Sequence, residues 1–144
     1  MAVRDTGLVR IRPVAWGMFG SLPFYAVLVE LVSPPGMVLE EPLASALPLG
    51  LGALSLSLFG IVPWLKRTLL RVAAPESGLE QRFLSATVVG LALAELPALL
   101  GLVLYLLGGG KPAFYVLLAM ATLLFVVHFP RRADWEDFRR RAGS

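Results

Sequence analysis

The chain has 144 residues, of which 57% are hydrophobic and 16% charged, with a mean hydropathy of +0.75. Soluble domains carry about 25% charged residues, so this composition excludes a soluble globule, and four spanning segments of about 20 residues each would leave only connectors and a short tail outside lipid. The absence of cysteine and the single histidine, His128, exclude disulfides, thiolate metal sites, cysteine nucleophiles and an intrachain bis-histidine haem.

The first apolar run goes from Val14 to about Val32, after Arg4, Arg10 and Arg12 and before the breaker Ser33-Pro34-Pro35-Gly36. It reads as a retained span rather than a cleaved signal peptide, because it exceeds a signal h-region and no small-x-small cleavage site precedes Pro34. The second run, Leu43 to Leu65, closes on Lys66-Arg67, and Pro63-Trp64 puts an indole at an interfacial level. Residues 66–82 read as a solvated loop, with the second helix able to run a turn past the lipid. The third run spans Phe83 to Leu107, about 25 residues and long enough to cross with some tilt. A tight turn, Gly108-Gly109-Gly110-Lys111-Pro112, leads to the fourth run from Ala113 to Phe129, which Pro130-Arg131-Arg132 ends. The predicted architecture is all-α: one integral membrane domain over 1–144, with spans near 14–32, 43–65, 83–107 and 113–130, packed as a four-helix bundle, and an amphipathic tail over 131–144.

Orientation follows from the basic residues, since cytoplasmic loops retain Lys and Arg. Arg4, Arg10 and Arg12 precede the first span, Lys66, Arg67, Arg71 and Arg82 lie between the second and third, and five arginines follow the fourth. Only Lys111 falls on the other side, where Glu40 and Glu41 occupy the first exterior loop. Both termini are therefore expected in the cytoplasm of a bacterial inner (plasma) membrane. The net charge of +3 does not point to nucleic acid, because the basic residues sit at segment ends rather than in one patch.

Glu95 is the residue of greatest interest, at the middle of the third run in Leu91-Ala92-Leu93-Ala94-Glu95-Leu96-Pro97-Ala98. A charged carboxylate at that depth costs at least about 2.5 kcal/mol, so Glu95 should be protonated, paired or beside a wet cavity. Either it hydrogen-bonds across the bundle as packing glue or it handles a proton or cation. At about 1.5 Å of rise per residue, Ser21, Ser55, Ser57 and Thr122 fall near its level and are its possible partners. No Lys or Arg does. Pro97 removes the donor that would bond the Leu93 carbonyl, leaving an acceptor near the carboxyl, or simply kinks the helix. Gly17 and Gly20, and Gly90, Ala94, Ala98 and Gly101, favour close helix contact, internal or between chains. Glu30, a turn from the outer end, reaches water and is assigned no chemistry. His128 reads as a polar anchor, with a haem shared between two chains as the weaker alternative. In the tail, Trp135 and Phe138 share one helix face, expected to lie among headgroups while the arginines meet anionic lipid.

The stretch Ala94-Glu95-Leu96-Pro97-Ala98-Leu99-Leu100-Gly101-Leu102-Val103 resembles the second helix of rotary ATP synthase subunit c and its vacuolar proteolipid relatives, in which Ala-Glu-Ala or Ala-Glu-Leu is followed by Gly-Leu-Val. The resemblance implies that Glu95 is a proton or sodium site. It covers about a quarter of the chain, and the family's repeated Gly-x-Gly-x-Gly run is replaced here by Gly50-Leu51-Gly52 followed by Ala53, Ser55, Ser57 and Gly60. The whole layout is also similar to small uncharacterised bacterial four-helix membrane proteins, a resemblance that implies no activity. No catalytic set, metal site or phosphate loop is readable, so the chain is expected to be no enzyme, with no cofactor and no metal. The expected function is that of a small non-enzymatic multi-pass membrane protein, an accessory subunit or self-associating bundle. The alternative is a proton- or cation-binding element using Glu95, and the expected partners are the bilayer and a homo-oligomer or larger membrane complex.

Overall fold

The structure is a computed structural model and describes residues 6–32, 40, 42–72 and 78–142. Arg4, the Ser33-Pro34-Pro35-Gly36 breaker, Glu41 and Glu76 lie outside the described residues. The described residues form five helices and no strand: α1 Thr6–Leu31, α2 Leu43–Val72, α3 Leu79–Leu106, α4 Lys111–His128 and α5 Arg132–Ala142. The first four are long and apolar enough to cross a membrane.

The helices overrun the apolar runs at the polar end. α2 continues two turns past Leu65, so residues 66–72, read above as loop, are helical, and α3 begins at Leu79 rather than Phe83. Lys, Arg and Leu are good helix formers, and Glu80 in the first turn of α3 complements the helix dipole. At 30 residues α2 measures about 45 Å, longer than a hydrocarbon core of about 30 Å.

α3 lies at the centre and packs against each of the other four helices. Its buried positions, among them Ala86, Gly90, Ala94, Ala98 and Gly101, are small on several sides, which lets neighbouring backbones approach. A methyl group on Gly101 would stand 3.1 Å from the Leu117 side chain of α4, which marks how closely these two helices meet. α1 turns a narrow seam inward: Ile11, Ala15, Leu22 and Val29 are buried, with Met18 and Tyr25 half-buried between them. Their alternating spacing of four and three is that of a left-handed helix pair. Gly17 and Gly20 lie on the outer side of α1, with open space where a side chain would be.

The two ends of the fold are tied differently. At one end the Tyr105 hydroxyl of α3 donates to the Val32 carbonyl at 2.7 Å, capping the end of α1. At the other, Trp135 of α5 is buried against Phe83, with ring centroids 5.2 Å apart, and joins Ile11 in one apolar cluster. The aromatic face of the tail, assigned above to headgroups, is therefore seated on the helix ends, where apolar rings fill the gap between α1 and α3.

The turn from α3 to α4 is a Schellman motif: the Gly109 N–H donates to the Leu104 carbonyl at 2.8 Å and the Gly108 N–H to the Tyr105 carbonyl at 3.0 Å. Gly108 has φ 93°, and a side chain on Gly109 would stand 2.8 Å from the Leu104 carbonyl oxygen. Gly109→Ala is accordingly expected to destabilise by about 1–3 kcal/mol, because the clash is with backbone. Thermal unfolding in detergent checks this against Gly17→Ala, an open helical site where alanine should be neutral or stabilising.

Candidate functional site

Glu95 is half-buried at mid-helix on α3, next to the buried Ala94 and one turn before the buried Ala98. Its Oε1 accepts two hydrogen bonds from α1, one from the Ser21 hydroxyl at 2.6 Å and one from the Tyr25 hydroxyl at 2.6 Å. Ser21 and Tyr25 are four residues apart, so they stand one above the other on the same face of α1. Two donors converging on one oxygen give a carboxyl an oriented, partly desolvated setting in which each bond is electrostatically stronger than in water.

The sequence around the donors and the acceptor matches. In Ser21-Leu22-Pro23 on α1 and Glu95-Leu96-Pro97 on α3, each polar residue is followed two positions later by proline. Pro23 lacks the donor for the Phe19 carbonyl and Pro97 the donor for the Leu93 carbonyl, so both helices relax their ladders beside the carboxyl. This is a polar side-chain contact between apolar stretches of the two helices.

The other hydroxyls expected at this level are engaged within their own helices. Ser55 donates to the Leu51 carbonyl at 2.7 Å, Ser57 to the Leu54 carbonyl at 2.6 Å and Thr122 to the Leu118 carbonyl at 2.9 Å. Of the four, the structure brings only Ser21 to Glu95. Tyr25 is the partner that depth counting passed over, because a phenol carries its hydroxyl a full turn along the helix axis from its own Cα. The i, i+4 pairing of Ser21 with Tyr25 was the signal that could have found it.

Glu30, given no chemistry above, holds together the end of the fold that carries the α3–α4 turn. Its Oε2 pairs with Lys111 Nζ at 2.6 Å and its Oε1 accepts from the Tyr115 hydroxyl at 2.6 Å, joining the last turn of α1 to the first turn of α4. All three side chains are exposed. His128 bonds the Leu124 carbonyl at 2.9 Å through Nδ1, which must carry the hydrogen because a carbonyl only accepts. Among the described residues there is no group of three or more His, Asp or Glu side chains placed to hold a metal ion.

Comparison with protein families, curated proteins and solved structures gave no match to this chain. The chemistry of the site therefore rests on its geometry alone.

Tyr25→Phe should cost about 0.6–1.7 kcal/mol, the range for a hydrogen bond between helices in lipid. A double-mutant cycle with Glu95→Gln should show the two residues coupled, whereas Ser57→Ala, whose hydroxyl bonds its own helix, should be additive with Glu95→Gln. Reversible unfolding in mixed micelles supplies the free energies.

Proposed function

We propose that this chain is a small non-enzymatic membrane protein that crosses a bacterial inner membrane four times as a helical bundle, with both termini cytoplasmic, and acts as an accessory subunit or self-associating bundle. The observation that carries this reading is the engagement of Glu95: its carboxyl receives both α1 hydroxyls and ties α1 to α3. A polar group in lipid that is matched inside the chain serves assembly of the bundle.

Orientation draws support from the distribution of charge. Arg12, Lys66, Arg67, Arg82 and the α5 arginines belong to the end where Ile11, Phe83 and Trp135 meet, while Lys111 belongs to the end where Glu30 neutralises it. The positive-inside rule assigns the first of these ends to the cytoplasm.

Self-association draws support from α2. Ala46, Gly50, Ala53, Ser57 and Gly60 are exposed along one stripe with alternating spacing of four and three, and nothing lies within 4 Å of a side chain built on Gly50 or Gly60. A second copy of the same stripe fits such a surface closely, as small residues let two backbones approach. Gly50→Leu with Gly60→Leu should then abolish in-membrane cross-linking between copies, and Glu95→Gln should leave it intact. Loss of cross-linking in neither variant would contradict self-association through α2.

One observation favours the second reading, a proton-binding element similar to ATP synthase subunit c. Ser21 Oγ lies 2.6 Å from both Glu95 Oε1 and the Met18 carbonyl, yet carries one hydrogen. Turned to Glu95, it meets an ionised carboxylate; turned to Met18, it accepts the hydrogen of a protonated one. The heavy atoms need not move between the two arrangements. On this reading proteoliposomes should show a proton flux that Glu95→Gln removes, and equal flux from protein-free vesicles would sink it.

A further inference from the structure

At the proposed cytoplasmic end, α2, α3, α4 and α5 border an open cavity of about 900 Å³, within the range of roughly 300–1,000 Å³ typical of small-molecule sites. Its lining is divided. Phe59 and Pro63 supply apolar surface toward the middle of α2, with Val127 beside them at the end of α4. Lys66, Arg67, Arg82 and Arg141 supply cations at the helix ends, with Phe59 seven residues, about 10 Å, deeper along α2 than Lys66.

Two acids, Asp134 and Asp137, and His128 also face the cavity. Asp134 accepts the Arg131 backbone N–H at 3.1 Å and its charge also reaches Lys66, and Asp137 pairs with Arg140 outside the lining. Among the described residues no carboxylate forms an ion pair with Lys66 or Arg67. Lys66 is half-buried, its Nζ 5.6 Å from the centroid of the Phe83 ring, which holds the ammonium at the cavity edge without neutralising it. Phe138 stacks on the same ring from α5, with centroids 5.8 Å apart, so the tail closes one side.

We propose that this cavity binds one anionic phospholipid. The headgroup phosphate meets Lys66 and Arg67, and the acyl chains run past Pro63 and Phe59 toward the bilayer. A free anion would make no use of the apolar wall, and an apolar ligand would make no use of the lining cations, which outnumber the two acids. Guanidinium and ammonium groups together suit a phosphate ester, the first through paired N–H donors and the second as a compact charge. The assignment rests on the four-span placement proposed above, which puts these cations at headgroup level.

The test uses the full chain in a neutral detergent, titrated with phosphatidylglycerol or phosphatidylcholine and read by native mass spectrometry. The expected result is one retained phosphatidylglycerol, bound in preference to phosphatidylcholine, with affinity falling about fivefold for each of Lys66→Gln and Arg67→Gln. Arg132→Gln and Arg139→Gln, at exposed positions outside the cavity, should leave it unchanged. Equal losses from both pairs would mean diffuse attraction and overturn the site, as would equal binding of the two lipids. Displacement of the lipid by glycerol phosphate alone would overturn it in favour of a soluble anion. Circular dichroism verifies folding of each variant, and the exposed Arg67 carries the test if Lys66→Gln unfolds. Loss of selectivity with four-span insertion intact, shown by accessibility labelling of the loops, overturns this site and leaves the placement standing.

Discussion

Lipid offers no hydrogen bonds, so a polar atom in the middle of a spanning helix must find its partner within the protein. In the four-span placement proposed above, Glu95 meets that demand through Ser21 and Tyr25, and much of the fold follows from where those three residues stand. α1 must present its Ser21–Tyr25 face to α3, which fixes the rotation of α1 and places Ile11, Leu22 and Val29 in the seam beside them. The apolar contacts are numerous but non-directional, because side chains gain little from exchanging lipid for one another. The two hydroxyls provide the directional element. Small residues on α3 then allow α4 and α2 to close against its other sides.

The two ends are tied by other contacts. The exposed Glu30, Lys111 and Tyr115 cluster and the bond from the buried Tyr105 to Val32 hold one end by polar contacts. The opposite end is closed by rings, with Phe83 touched by Trp135 and Phe138 of α5 and approached by Lys66 of α2. Helices that overrun the apolar spans create that end, since α2 continues to Val72 and α3 starts at Leu79. The cationic cavity lies between these extensions. It is a consequence of helix length as much as of charge.

The four long helices were readable from runs of apolar residues, which persist over about 20 positions and admit no other regular structure. Their polar ends were not, because Lys66-Arg67-Thr68 looks like a loop by composition although each residue tolerates a helix. Glu95 stood out as the lone acid in its run. Its level along the helix named Ser21 correctly as a neighbour but gave no means to separate it from Ser55, Ser57 and Thr122, which differ in the face they present rather than in depth. Tyr25 escaped because the reach of its side chain, and not its Cα level, brings it to the carboxyl. The Glu30 and Lys111 pair joins residues 81 apart in sequence, and only the packing of α1 beside α4 brings them together.

The most direct test of the account is the infrared stretch of the Glu95 carboxyl in membranes, isolated by subtracting the spectrum of Glu95→Gln. If α1 donates two hydrogen bonds to Oε1, the band should shift in Tyr25→Phe and again, in the same sense, when Ser21→Ala is added, while Thr122→Val leaves it in place. A band unmoved by either α1 substitution would show that the carboxyl does not join α1 to α3 and would contradict the account.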